Sequence, residues 1–565
     1  MFNILSMLGK NKPEPDALHS LKAIARWVNT LPAGNVFGAH EQVLRKLAEF
    51  NRQNAPHGKD SLDVLLHLDE YAQPLQAALC QQYLRNPRMS RVMESRLWHA
   101  IYQFYWEVTR AYHAFILSYV AAPANNPLKA AMPRIALRTL HNFGNVFKWH
   151  YFRYEKPQAK LWLRLHNLYR LAEFEGFNKT DLSLYPQDSR ITRCMDQYTR
   201  ALLLAQLDAS ALYPKQIEMA DQWLNQWAHL IEHDRQFNPD THTFYVALSD
   251  GMGARRIRNP DFSESCRFMA TSGLRDKINQ TRRALQEGGL PAQLGLGEEC
   301  RLPESLELLD YAERQWSPID KREQRKSSRT STKKVVNVVH GFNAICALVK
   351  QGGNSANVLS DVNTKLKYEE TIDMKLYGFV TESTRTRNRR ARLAPSEKTP
   401  PHERWVMEDE SEHGLGASVT PEADDWVRLD SMIGIQAERD APWKIGVVRR
   451  VSRPSDGLCQ VGIEILSHKP RMLLIRPQSA HGLYGHSVAG VEATDSTLPV
   501  PVIFTSRINN NQCELLLEAA QYSSGRSFQT SSGTHCDVVR LRDVVEKGDG
   551  WMRVAVDIAP VATDP

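Results

Sequence analysis

The feature that most constrains the fold of this chain is an abrupt change of sequence pattern near residue 320. The stretch 321–334 carries seven cations, one anion and no hydrophobic side chain. The β-branched run Val335-Val-Asn-Val-Val339 follows at once, and Gly341 ends it. A charged linker that leads directly into a strand predicts a boundary between two domains of different class.

The residues before this boundary have the periodicity of α-helices. Apolar side chains recur three or four positions apart, as in the set Leu21, Ile24, Ala25, Val28 and Leu31. Such stripes are typical of helix faces that pack in a core. We therefore predict that residues 1–314 form a large all-α domain, built as an antiparallel array of helices.

The residues after the boundary have mostly β patterns. Gly446-Val-Val-Arg-Arg-Val451 and 460–466 alternate well on either side of a Ser-Asp-Gly turn, which predicts a hairpin. A weak echo follows: Val538-Val-Arg540 precedes Asp549-Gly550, and the spacing of apolar residues after each Asp-Gly pair is identical. Because any two hairpins can share this much, a duplicated barrel stays one of two interpretations.

These patterns predict a multidomain α + β protein. After the helical domain we expect a basic linker with a first barrel strand in 315–342 and an insertion in 343–400. The rest of a β-barrel would occupy 401–480. A C-terminal β-rich domain, with or without the form of a second barrel, would occupy 481–565.

The length and composition of the chain limit the class of protein to which it can belong. A chain of 565 residues is long for a single core, so about three or four domains are expected. The hydrophobic content of 42% and charged content of 24% are typical of soluble proteins. Eight cysteines without a C-x-x-C pair favour reduced thiols in the cytoplasm over disulfides or a metal site. No uncharged run is apolar enough to span a membrane.

Motifs of catalysis are missing from the sequence. It has no phosphate-binding G-x-x-x-x-G-K-[ST] loop, no H-E-x-x-H and no G-x-S-x-G. We therefore expect no enzyme, no catalytic residue, no metal and no cofactor. The net charge of +7 is mild, and the two basic clusters lack the aromatic side chains on which single-stranded nucleic acid stacks. A nucleic-acid partner is not expected.

A polar turn follows the strand start Trp405-Val-Met407. It reads Asp409-x-Ser411-x-x-Gly414, and strand alternation would place Asp409, Ser411 and His413 on one face. The glycine lets the backbone turn sharply. By pattern alone this is either a solvated strand end or one wall of a binding site.

The turn, the hairpin and the upstream Arg325-Lys-Ser-Ser-Arg329 together resemble the PilZ domain over about residues 320–480. That family consists of six-stranded β-barrels that bind the bacterial second messenger cyclic di-GMP. Its hallmarks are an R-x-x-x-R loop before the first strand and a D/N-x-S-x-x-G turn. The resemblance implies that Arg325 and Arg329 bind phosphates and guanine faces, while Asp409, Ser411 and Gly414 form the barrel side.

A second arginine pair, Arg385 and Arg389, has the same R-x-x-x-R spacing and lies closer to Asp409. We favour Arg325 and Arg329 because a strand pattern follows them directly, whereas a Pro-rich stretch follows the other pair.

The resemblance implies a cyclic di-GMP receptor that couples the second messenger to a protein partner through domain rearrangement, with the partner bound by the helical domain. The alternative is an interaction scaffold whose PilZ-like barrel binds nothing. Neither hallmark motif occurs in residues 481–565.

Overall fold

The chain folds into two compact units, Met1–Gln324 and Arg325–Pro565. The computed structural model describes residues 17–53, 58–86, 89–124, 126–258, 261–297, 300–318, 329–352, 381, 402–419, 426–437, 441–454, 458–477, 499–507, 512–532 and 535–560.

The first unit is predominantly α-helical. Its helices are α1 (Leu21–Val28), α2 (Val36–Phe50), α3 (Lys59–Arg85), α4 (Arg91–Ala121), α5 (Met132–Tyr151), α6 (Ala159–Phe174), α7 (Cys194–Gln206), α8 (Pro214–Trp227), α9 (Ser272–Gln286) and α10 (Leu302–Trp316). Side-chain caps fix several starts: Ser20, Asn35 and Ser90 accept hydrogen bonds from backbone N–H groups of α1, α2 and α4.

Short strands interrupt the helices of this unit. They are β1 (Leu182–Ser183), β2 (Ile191–Thr192), β3 (His233–Asp234), β4 (Phe244–Ala247), β5 (Arg255–Arg256) and β6 (Cys266–Met269). The first two pair with each other, and the other four form an antiparallel sheet in the order β3-β6-β4-β5.

The centre of the helical unit contains a fully buried ionic cluster. Asp221 accepts hydrogen bonds from Arg200 and from Lys148, whose Nζ lies 2.8 Å from the carboxylate. Burial alone would raise the pKa of Asp221, but the two cations outweigh it and hold that pKa below its usual range. The paired charges satisfy one another, as buried charges must.

The second unit begins with a closed, antiparallel six-stranded barrel. Its strands are β7 (Thr330–His340), β8 (Glu403–Ser411), β9 (Gly414–Val419), β10 (Met432–Gln436), β11 (Lys444–Ser452) and β12 (Cys459–Ser467). They follow one another around the barrel as β10-β11-β12-β9-β8-β7, and β7 closes it against β10. The predicted hairpin is β11–β12. Helix α11 (Phe342–Gly352) lies in the long connection between β7 and β8.

A second closed barrel follows. Its strands are β13 (Arg471–Pro477), β14 (Val500–Arg507), β15 (Gln512–Glu518), β16 (Ser527–Ser532), β17 (His535–Lys547) and β18 (Trp551–Pro560). Counted from its own first strand, its order around the barrel is the same as in the first barrel. The echoed hairpins, β11–β12 and β17–β18, occupy equivalent places. The predicted fold class is confirmed, and the C-terminal domain is a second barrel.

The boundary between the barrels differs from the prediction. We predicted that the first barrel extends to residue 480, but β13 (Arg471–Pro477) pairs with β14 and belongs to the second barrel. The connection after β12 is only a few residues long, so the sequence shows no linker there.

The two barrels share a hydrophobic interface. Helix α11 contributes Ile345 and Val349, the first barrel contributes Val447, and the second contributes Ile503 and Trp551 to one buried cluster. Trp551 also donates from Nε1 to the carbonyl of Asp430, 2.8 Å away. The barrels therefore pack as one body.

Candidate functional site

The Asp-x-Ser turn is the tip of the β8–β9 hairpin. Strand β8 ends at Ser411, β9 begins at Gly414, and the two residues pair across the turn. The Ser411 hydroxyl donates to the Gly414 carbonyl at 3.0 Å and so braces the turn. Because the strand ends at Ser411, His413 lies in the turn itself and not on the strand face that alternation predicted.

A β-bulge at Glu408 decides which way Asp409 faces. Before it, Met407 pairs with Ala417, and both side chains lie in the barrel core. After it, Asp409 pairs with Gly416, one register step out of phase. Cross-strand partners share a face, so the bulge turns Asp409 and Ser411 to the outside of the barrel. Strict alternation from Met407 would have pointed Asp409 into the core.

The structure brings Arg329 and Asp409 together. The Arg329 Nη1 lies 2.9 Å from both carboxylate oxygens of Asp409, although 80 residues separate them in the chain. The two side chains are 39% and 31% exposed. Ion pairs as exposed as this contribute little stability, so a ligand can replace either partner at low cost.

The neighbouring glutamates are engaged elsewhere. Glu408 accepts a hydrogen bond from Ser418 at 3.0 Å, and Glu410 pairs with Lys444 at 2.7 Å. Neither carboxylate contacts Arg329. The acidic flank of the turn therefore leaves the Arg329–Asp409 pair as a separate group on the barrel surface.

Glycines form the floor beside this pair, and two of them were missed at the sequence level. Gly416 pairs with Gly462 of β12, so side chains are absent from two neighbouring strands at one level. A Cβ added at Gly416 would lie 2.9 Å from an Asp409 carboxylate oxygen. Gly416 could have been predicted from the sequence, because it follows Gly414 in a Gly-x-Gly spacing. Gly462 could be found only from strand register.

Three of the predicted arginines, Arg325, Arg385 and Arg389, lie outside the described residues. Their parts in the site stay predictions. The described members of the predicted ligand-binding set are Arg329, Asp409, Ser411 and Gly414, and they lie at the same end of the β7–β8–β9 surface.

The second barrel lacks this floor. It repeats the bulge, between Phe504 and Ser506, and aligning the two barrels on their bulges places Glu514 and Ala555 at the positions of Gly416 and Gly462. Glu514 lies 3.7 Å from Arg553, its ion-pair partner. The side chains of Glu514 and Ala555 therefore stand where the first barrel has bare backbone.

In the described residues we also looked for a metal site, a membrane-spanning helix and disulfides. Within them, no cluster of three or more His, Cys, Asp or Glu side chains could hold a metal ion. None of the described helices combines the length and apolar character needed to cross a membrane. The seven cysteines whose side chains the structure describes are free of disulfides.

Two family models match the chain, and together they cover more than half of it. Residues 22–236 match the model described as the N-terminal domain of the cyclic-di-GMP receptor FimW. Residues 350–471 match the model described as the middle PilZ domain of the same receptor. The second range includes Asp409, Ser411 and Gly414 but begins after Arg329. No curated protein and no solved structure matches the chain.

Proposed function

Because this chain belongs to the family of PilZ-domain cyclic di-GMP receptors, we propose that it binds cyclic di-GMP on the outer face of its first barrel. The observation that carries the proposal is the Arg329–Asp409 pair, which joins the two hallmark motifs beside a floor of glycines. A flat cation, an acceptor carboxylate and bare backbone are what a ligand with two phosphates and two guanines requires.

Each residue has a role in this proposal. Arg329, with Arg325 from the motif, binds phosphate oxygens and guanine faces. Asp409 accepts from the N–H edge of a guanine, and the Ser411 hydroxyl bonds to the ligand or holds the turn. Gly414 keeps the backbone accessible. Arg385 and Arg389 remain the less favoured alternative to Arg325 and Arg329.

The first experiment is a calorimetric titration of cyclic di-GMP into the full chain at physiological salt, with GTP as the control ligand. We expect saturable binding that Asp409→Ala abolishes. Arg329→Ala should weaken binding by about 1.5–3 kcal/mol, the range for hydrogen bonds to charged groups. A loss below about threefold, or roughly 0.7 kcal/mol, would assign the phosphate contacts to Arg385 and Arg389. No binding by the unaltered chain would overturn the proposal.

The output of the receptor belongs to the same proposal. We place the protein-partner site on the helical unit and the signal in a ligand-dependent change in the placement of the two units. The support is the position of the R-x-x-x-R segment, which joins the units and carries ligand contacts. Identical small-angle scattering profiles with and without saturating cyclic di-GMP would contradict it.

We also propose that the protein acts in the cytoplasm as a receptor without enzymatic activity or cofactor. Two features of the sequence support this proposal. Its eight cysteines include no C-x-x-C pair, and the motifs of catalysis named above are missing. The test is to incubate cyclic di-GMP with the protein and divalent cations. Recovery of linear dinucleotide or GMP would show a hydrolase instead.

A further inference from the structure

A single row of residues crosses four neighbouring strands of the first barrel. Register pairs Asp409 of β8 with Gly416 of β9, Gly416 with Gly462 of β12, and Gly462 with Arg450 of β11. Partners in register share one face of the sheet, so all four lie on the outer surface. The row has a side chain at each end and bare backbone between, over about three strand spacings or 14 Å.

Each of the two end side chains packs beside the glycine next to it in the row. A Cβ added at Gly462 would meet the Cβ of Arg450 at 3.2 Å and its Cγ and Cδ at 3.7 Å. The Arg450 stem therefore lies beside Gly462, in ordinary van der Waals reach of the bare backbone there. From the other end, the Asp409 carboxylate lies 2.9–3.3 Å from the Cβ position of Gly416.

The neighbouring arginine shows that this placement is specific to Arg450. A second bulge, between Val448 and Arg450, turns Arg449 toward carboxylates of both barrels, where it pairs with Asp430, Glu464 and Glu546. Arg450 is exposed on the row that ends at Asp409. Two consecutive arginines thus have different tasks: one joins the barrels and the other borders the glycine floor.

We propose that Arg450 is a further ligand-contacting residue, whose guanidinium stacks on the guanine that Asp409 binds by its edge. The inference rests on the proposed function of the site. A guanidinium is flat, permanently charged and weakly hydrated, and it stacks on aromatic rings. Gly462 gives Arg450 room, because a Cβ there would lie 3.2 Å from the Arg450 Cβ and press on the root of its side chain. Stacking on Arg450 adds affinity for a purine base, and contacts to phosphate alone do not supply that affinity.

The test is titration of cyclic di-GMP into full-length variants. Arg450→Ala should weaken binding about tenfold or more, the loss expected when one stacked base is freed. Arg450→Lys keeps the charge but not the flat group. On a logarithmic scale, its affinity should recover less than half of what Arg450→Ala loses. Arg540→Ala removes an exposed arginine from β17 of the second barrel and should leave affinity unchanged.

The Gly462→Ala variant tests the route of the effect. We expect it to weaken binding in the presence of Arg450 and to add nothing in an Arg450→Ala background, because both changes remove the same contact. Additive losses would overturn the proposal. The proposal would also be overturned if Arg450→Ala bound cyclic di-GMP within twofold of the unaltered chain while Asp409→Ala abolished binding. In that case the receptor function would still stand. No binding by the unaltered chain would instead contradict the receptor function. Ligand-free melting curves check that each variant folds.

Discussion

Gly414 and Gly416 lie two residues apart on β9, but an added methyl group would meet different atoms at the two positions. At Gly414 the Cβ would lie 2.8 Å from the backbone carbonyl of Ile463, which belongs to the paired strand. At Gly416 it would lie 2.9 Å from the end of the Asp409 side chain. A strand backbone cannot move away cheaply, whereas a half-exposed carboxylate can rotate.

We therefore expect Gly414→Ala to affect folding and Gly416→Ala to affect binding. Gly414→Ala should lower the free energy of unfolding by about 1–3 kcal/mol, as overpacking does. Gly416→Ala should change it by less than about 0.5 kcal/mol but displace Asp409 and weaken cyclic di-GMP binding severalfold. Urea unfolding and calorimetric titration of both variants measure the difference. Equal loss of stability in the two would contradict this interpretation.

Helix α11 is the element that joins the barrels. It packs against β7 and β10 of the first barrel and against β13 and β14 of the second. Its Ile345 is 1% exposed and packs beside Gly434 of β10, where an added Cβ would lie 3.5 Å from the Ile345 Cγ1. Because one helix face serves both barrels, a cavity made there weakens the whole unit.

Ile345→Ala should lower the free energy of unfolding of this unit by about 2–5 kcal/mol, the usual cost of truncating a buried isoleucine. The barrels should still unfold together, since the other cluster residues remain. Val335→Ala, on β7 of the first barrel and 59% exposed, is the control in the same unit and should change stability by less than about 0.5 kcal/mol. Fluorescence-monitored denaturation of both variants measures this. A similar small effect at Ile345 would show that α11 is not part of the joint core.

At the scale of the whole molecule, buried histidines make the stability of the helical unit depend on pH. Burial lowers the pKa of both His166 and His233 to about 4. The His166 ring is fixed between the Tyr198 hydroxyl at 2.7 Å and the Met252 carbonyl at 2.9 Å. The carbonyl can only accept, so Nε2 carries the proton and Nδ1 accepts from the tyrosine. Protonation of Nδ1 would reverse that bond, so that the tyrosine hydroxyl accepts, and would place a positive charge in a buried site.

The folded pKa values lie below the unfolded value of about 6.5, so the unfolded chain binds more protons as the pH falls. The free energy of unfolding should be unaffected above about pH 7 and fall toward pH 4, by about 2 kcal/mol per histidine at pH 5. Urea unfolding followed by far-ultraviolet circular dichroism between pH 5 and 7 reports mainly on the helices. Burial also lowers the pKa of His141, to about 3, so His166→Gln should reduce the pH dependence by about a third, and an unchanged slope would exclude His166 as a cause.

The sequence by itself determined the division into a helical unit and β domains, because hydrophobic periodicity and charge clustering are local properties. The resemblance to the PilZ family could also be found in the sequence, since Asp409, Ser411 and Gly414 form a short local motif. The echo between Val447–Arg449 and Val538–Arg540 was readable as well. Only the closed topology showed that it marks equivalent hairpins of two barrels.

Tertiary structure decided which way the site residues face and which distant residues join them. The bulge at Glu408 turns Asp409 outward, and nothing in the alternation of the strand predicts where an extra residue enters the register. Gly462 and Arg450 reach the site through pairing between strands far apart in the chain. The boundary before β13 was also hidden, because two barrels that share a buried interface need no polar linker between them. Such features depend on contacts between distant segments, which composition and periodicity do not record.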